Sequence, residues 1–237
     1  MDNESILLTP LRKFWSFFSN RYLNSHFIRF TAVAIISVAV LNLIIVLWTS
    51  SGGVNIFGTW VGGDYPCFYI AGKILNEYPS EKLYDFKLHS EILHSLLPEV
   101  SADEEIPYIN PPFFALIFIP MARLPYVPSY LVWMVVSVSL YVIAFKLFWK
   151  TLDALPANTL NTALLLALSF EPFIMENILG GNCSAIGFLA LAMFFYFVYL
   201  KKDIMAGLSL GILLYKPTFL ILLLPMLVTA RRFKVLT

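Results

Sequence analysis

The run from Thr31 to Trp48 carries no charged residue, and it is long enough to cross a bilayer, which takes roughly 17–25 apolar residues. Comparable apolar runs follow, and that repetition decides what the chain can fold into. Of its 237 residues, 59% are hydrophobic and 13% charged. An ordinary soluble domain is about a quarter charged, so this surplus of apolar side chains cannot hide inside one water-exposed globule. The organising quantity is therefore the number of membrane crossings. A formal net charge of +1, with its few bases scattered between apolar runs, excludes a nucleic-acid binder. Two cysteines make neither a disulfide framework nor a zinc site. No internal repeat or low-complexity segment is evident.

The charges orient the runs. Residues 1–29 carry Arg12, Lys13, Arg21 and Arg29 against Asp2 and Glu4, so the first span, 30–49, is expected to keep its basic front in the cytoplasm. The first apolar run lacks a small-residue cleavage site and reads as a span, not a signal peptide. Residues 50–126 then form an outer loop. Phe68, Ala71, Gly72 and Leu75, and again Tyr84, Leu88, Ile92 and Leu96, keep helical spacing on either side of Tyr78-Pro79-Ser80. They predict two short amphipathic helices lying on the membrane surface. The segment from Asn110-Pro111-Pro112 to Pro120 is too short for an independent span: if it crosses, Lys146, Lys150, Lys201 and Lys202 face outward, and if it is re-entrant they face inward, which the charge rule favours. Residues 127–230 form the remaining bundle: Val127–Leu147, Leu160–Ile178, Cys183–Leu200, and two short helices within Ile204–Ala230 that meet at Lys216-Pro217. Residues 231–237 are cytoplasmic. The expected fold is all-α and polytopic, with about six spans plus re-entrant and surface helices, in the plasma (inner) membrane. Eleven bases, among them Lys146, Lys150, Lys201, Lys202, Arg231, Arg232 and Lys234, then face inward.

Several polar residues are not explained by hydropathy. Asp64 and Tyr65 follow Gly62-Gly63 at the outer mouth of the first span, and Tyr108 with Asn110, Glu176 with Asn182, and Lys216 reach the same face. A carboxylate there can take a proton from a sugar hydroxyl, and a lysine can hold a phosphate as a point charge. Plainer roles compete. Asp64 suits the N-cap of a helix starting near Pro66. Asn182 suits the cap of the helix after Cys183, and Lys216 can snorkel at a helix end. Tyr108, Asn110, Pro111 and Pro112 can simply shape a turn. Glu171 and Glu176 are costly in a membrane, though Pro172 can break the helix there and admit water. His89 and His94 read as solvated helix positions, not metal ligands. Cys67 and Cys183 are either a disulfide or two buried thiols, and Phe188–Tyr199 is lipid-facing or packing surface.

Gly63-Asp64-Tyr65 with Tyr69, Ala71 and Gly72; Leu83-Tyr84-Asp85; Tyr108 with Asn110-Pro111-Pro112-Phe113; Gly180-Gly181-Asn182; and Ala206-Gly207, Gly211 and Lys216-Pro217 occur in that order. In this the chain resembles the polytopic glycosyltransferases of the C superfamily. The specific resemblance is to glycosyltransferase family 87, which contains polyprenol-phosphate-mannose-dependent mannosyltransferases and related arabinofuranosyltransferases. The resemblance implies an inverting sugar transfer on the outer face, without metal or cofactor. The donor is a polyprenyl-phosphate sugar, of mannose or another sugar, and the acceptor a lipid or glycan. It implies Asp64 as general base, Lys216 neutralising the leaving phosphate, and Tyr65, Tyr108, Asn110, Glu176 and Asn182 as substrate contacts. Membrane lipids are the remaining partners. The sequence departs from the family where Gly181 replaces the usual glutamine and where Asn76–Ser80 replaces a Gly-containing turn. Because it ends at Thr237, soon after the last run, the chain is expected to be the amino-terminal part of a longer fold. A transporter or lipid-flipping protein is the competing reading, weakened because the charges cluster at one face and no inverted repeat is visible. A non-catalytic remnant is the other.

Overall fold

The computed structural model describes residues 24–229 apart from 52, 56, 57, 102, 153–155, 157 and 158, together with 232 and 235. The expected basic stretch at Arg12, Lys13 and Arg21, and Arg231 and Lys234 at the other end, lie outside the described residues. The described chain is helical, with only isolated bridges at Ser51, Val54 and Trp60 outside the helices.

Helix α1 (Ser25–Thr49) is capped by Asn24, whose side chain accepts the Phe27 N–H at 2.8 Å. It begins ahead of the expected Thr31 and takes Arg29 into its first turns. It is apolar almost all round and hardly buried, the signature of a helix whose solvent is lipid. Helix α5 (Tyr126–Trp149) is the second of this kind. By length and composition these two can cross a membrane, and a third crossing exists if the bent pair of α6 (Leu160–Leu168) and the π-helix Phe173–Leu179 counts as one. These crossings make the chain a membrane protein. The expected single span Leu160–Ile178 is broken: its two halves meet at 66°, around Ser169 to Pro172, where proline removes an N–H and clashes with the preceding turn. Helices α7 (Ser184–Tyr199), α8 (Asp203–Ile212) and α9 (Leu220–Thr229) are apolar but shorter. At 1.5 Å per residue α7 is roughly 24 Å long, short of a hydrocarbon core of about 30 Å.

The loop between α1 and α5 is not a surface layer. Helix α2 (Tyr65–Glu77) is buried on every side, from Tyr65 through Gly72 and at Ile74. One face of α2 was expected at the membrane surface. Instead the chain from Pro112 to Arg123 covers it, folded as the single turn α4 (Pro112–Ala115) and two 3₁₀ turns. Phe114, Ala115 and Phe118 enter the core there. Contact is so close that a Cβ on Gly72 would stand 2.3 Å from the Phe118 carbonyl oxygen. Asn76 Nδ2 donates to the Ile119 carbonyl at 2.8 Å, and the Tyr69 hydroxyl to the Leu124 carbonyl at 2.8 Å. Helix α3 (Phe86–Leu96) starts at Asp85, which caps Leu88 N–H. Its buried face is His89, Ile92 and Leu93, with Leu97 just beyond. His89 is thus a core residue and not a solvated one. Its Nε2 donates to the Leu83 carbonyl at 2.8 Å, its Nδ1 has no partner, and burial pushes the imidazole pKa down. A second, smaller core joins α7, α8 and α9 through Phe194, Leu210, Leu213 and Leu223.

Candidate functional site

Two glycine turns meet face to face where α1, α5 and the π-helix converge. Gly62 and Gly63 have φ of 92° and 46°, and Gly181 has φ of 60°, a region that side chains other than hydrogen rarely adopt. The Asp64 N–H donates to the Gly180 carbonyl at 2.7 Å. Asn182 then turns its amide onto Asp64, with Nδ2 2.8 Å from Oδ2. The Ser184 hydroxyl donates to Asn182 Oδ1 at 3.0 Å and fixes the amide's orientation. Asp64 occupies the N-cap position of α2, as expected, but its side chain makes no capping bond. Its carboxylate is exposed and committed to Asn182.

Asn182 is likewise not the cap expected of it. The N-terminus of α7 is capped from farther back, where Asn177 Oδ1 accepts the Ala185 N–H at 3.0 Å. The π-helix makes this possible. Its wide turn closes with the Gly180 N–H on the Met175 carbonyl at 2.7 Å, leaving Asn177 pointing under α7 and Asn182 toward Asp64. π-turns are frequent at functional sites.

Helix α5 braces both turns with a row of aromatic donors. Tyr126 donates to the Val61 carbonyl at 2.5 Å and Tyr130 to the Ile178 carbonyl at 2.5 Å. Trp133 Nε1 donates to the Gly181 carbonyl at 3.1 Å. Hydropathy alone does not single out these three residues or Asn177. The signal was available as an i, i+4, i+7 row of aromatics that each carry a donor, at the start of an otherwise lipid-facing run.

The remaining candidates divide. Tyr65 is enclosed in the core, its hydroxyl 2.5 Å from Ser129 Oγ and its ring among Tyr126, Tyr130 and Trp133. It has no open face for a ligand and anchors the start of α2, next to Asp64, in the core. Tyr108 is buried too. Its hydroxyl donates to the Pro111 carbonyl at 3.0 Å, burial pushes the phenol pKa up, and the Asn110 carbonyl accepts from Tyr84 at 2.8 Å. These bonds shape the turn, while the residues just before Tyr108, Ile106 and Pro107, line the same cleft as Asp64. Glu176 opens on a different cavity of about 330 Å³, walled by Tyr141, Phe173 and Phe188. Lys216 is exposed. Its neighbour Tyr215 stacks on Phe114 with ring centroids 4.3 Å apart and donates to the Cys183 carbonyl at 3.2 Å. The Lys216 turn is thereby tied to the residue beside Asn182. Cys67 and Cys183 are both free and buried. Burial, and then the nearby charge of Asp64, pushes the Cys67 thiol up to about 12.

The site therefore offers an exposed, oriented carboxylate and an exposed cation, joined through Asn182, Cys183 and Tyr215. Among the described residues no cluster of three His, Cys, Asp or Glu could ligate a metal ion. In comparisons with known proteins, residues 108–237 match the family model described as Glycosyltransferase family 87. The match takes in the Tyr108–Pro112, Gly180–Asn182 and Lys216-Pro217 elements, and Asp64 lies ahead of it. Neither curated proteins nor solved structures give a significant match. Since the matched stretch is more than half of its length, the chain belongs to glycosyltransferase family 87.

Proposed function

We propose that the protein transfers a sugar from a polyprenyl-phosphate donor to a lipid or glycan acceptor at the outer face of the plasma membrane, with Asp64 as general base. The observation that carries this reading is the exposed Asp64 carboxylate, oriented by Asn182 through Oδ2 and anchored by its own N–H on Gly180. In this reading the other carboxylate oxygen takes the proton of the acceptor hydroxyl. That hydroxyl oxygen attacks the anomeric carbon, and the bond from that carbon to the phosphate oxygen breaks with inversion. The electron pair goes to the phosphate, whose growing charge Lys216 offsets, a use of a fixed cation where transition-state charge develops. Tyr65, Tyr126, Tyr130 and Trp133 are positioning residues. Asn182 orients the base, and Tyr108 and Asn110 shape the turn that borders it. Glu176 marks the entrance to an apolar cavity suited to a prenyl chain. The remaining crossings, to about six in all, are supplied in this reading by the broken pair and by the shorter helices α7 to α9.

The test is sugar transfer by the protein in proteoliposomes, with a polyprenyl-phosphate sugar and membrane acceptors. Asp64→Asn keeps the Asn182 contact possible and removes the base, so kcat is expected to fall about 10²–10⁴-fold. Transfer that survives unchanged in Asp64→Asn overturns the base assignment, and wild-type protein that hydrolyses or transfers none of a panel of prenyl-phosphate sugars overturns the function.

A further inference from the structure

We propose that the cleft beside Asp64 is the acceptor site and that it selects an acceptor end bearing no anionic group; this rests on the transferase reading above. The cleft has a volume of about 550 Å³ and is open on one side. Its walls include Trp60, Asp64, Glu104, Glu105 and Ile106, and none of its lining residues is basic. Three features of it point to one ligand chemistry.

The first is the indole. Trp60 is half-buried, and its Nε1 is committed to the Gly63 carbonyl at 2.6 Å. It offers a ring and no free donor, and the bond fixes that ring to the same turn that carries Asp64. A fixed aromatic face with polar groups around it is how a pocket holds an amphipathic ring such as a pyranose or furanose. The second is the pair Glu104 and Glu105, both exposed and both on the cleft wall. Ionised carboxylates only accept hydrogen bonds, and hydroxyl groups of a sugar supply donors in matching number. They do not converge on a metal-ligating arrangement with Asp64, so their use is as separate acceptors. The third is the sign of the charge. A phosphate or carboxylate brought within a few ångströms of three carboxylates is disfavoured, and such like-charge juxtaposition is a common device of specificity. The phosphate of the donor has a different place, at the exposed Lys216, which is joined to Asp64 through Tyr215, Cys183 and Asn182. The two substrates thus approach Asp64 from sides of opposite charge, and the uncharged one comes through the Trp60 cleft.

Steady-state kinetics in proteoliposomes and direct binding test this separately. With the active protein, Trp60→Ala is expected to raise the acceptor KM about tenfold while leaving the donor KM unchanged. Trp60→Phe keeps a ring but not the Gly63 bond and should recover most of the loss. Glu104→Gln with Glu105→Gln should weaken neutral acceptors and narrow, several-fold, the preference for them over the same acceptors carrying a phosphate. An acceptor KM unmoved in all three variants, or a donor KM that moves in its place, overturns the proposal while leaving transfer intact. Binding is read on Asp64→Asn protein by saturation-transfer NMR, with short neutral mannose- and arabinose-terminated oligosaccharides and their terminally phosphorylated counterparts. Neutral binding that is lost in Trp60→Ala supports the site even if the donor has been misassigned. Equal binding of neutral and phosphorylated probes overturns it.

Discussion

Gly181 shows how little room the site has. A Cβ there would stand 2.6 Å from the Gly62 carbonyl oxygen and 2.6 Å from Tyr65 Cβ, on a backbone with φ of 60°. A side chain at this position therefore finds no room between the two turns. Glycine lets them touch backbone to backbone, and the amide that reaches Asp64 is that of Asn182. A longer side chain should reverse this. Gly181→Gln must strain a left-handed backbone and push the turns apart, at a cost of roughly 1–3 kcal/mol, with transfer falling as the Asn182–Asp64 bond opens. Gly211 is the internal comparison: it lies within α8, has nothing within 4 Å of a built Cβ, and needs no unusual φ. Gly211→Ala should stabilise by up to about 1 kcal/mol through helix propensity. Thermal unfolding of the two variants in the same detergent checks both signs, and a Gly181→Gln protein as stable as wild type would mean that the turns are free to separate. Asp64 and Asn182 were both legible as candidates in the sequence. Their direct bond was not, because it joins residues 118 positions apart through turns whose positive φ values no periodicity records.

At the scale of elements, hydropathy reads a helix well when lipid surrounds it and poorly when protein does. The long apolar runs locate α1 and α5 because only a minor share of either helix is buried inside the protein. Helix α2 shows the opposite case. Its apolar spacing is that of an amphipathic helix, yet its second face is buried as well, because the short turns from Pro112 to Arg123 fold back over it. Hydropathy sees the length of that segment and not its partner. The same limit hides the work of the π-helix. Nothing in the residue pattern separates Asn177 from the flanking polar groups, but only Asn177 reaches the buried Ala185 N–H. Asn177→Ala should leave that donor unpaired at the start of α7 and cost about 1–2 kcal/mol, whereas Asn177→Asp keeps an acceptor and should cost less. A thermal-unfolding series over the two variants decides it. Equal losses would show that the amide acts through contacts other than the cap.

At the scale of the whole molecule, the contacts arrange the charges in a way the sequence could only suggest. The Asp64 site gathers the C-terminal side of α1, the start of α5, the end of the π-helix and the start of α7. The far ends of those elements carry the bases: Arg29 early in α1, Lys146 and Lys150 at the end of α5, and Lys201 and Lys202 after α7. Arg29 Nε donates to Thr162 Oγ1 at 2.8 Å, which sets the start of α1 beside the start of α6 at this same end. Arg232, paired with Asp203 at 3.3 Å, joins the start of α8 to it. The basic end and the Asp64 end are therefore opposite ends of one bundle. A membrane protein keeps the end rich in Lys and Arg in the cytoplasm, so Asp64, Trp60 and Lys216 are expected to open to the outside, where a lipid-linked sugar and an extracytoplasmic acceptor can meet. Cysteine labelling in intact cells tests the whole arrangement at once, because the native Cys67 and Cys183 are buried. Glu81→Cys, exposed in the loop before α3, should react with a membrane-impermeant maleimide from outside. Lys150→Cys should react only after the cells are opened. The reverse pattern would turn the bundle over and remove the proposed base from its acceptor, while labelling of both from outside would require α5 not to cross.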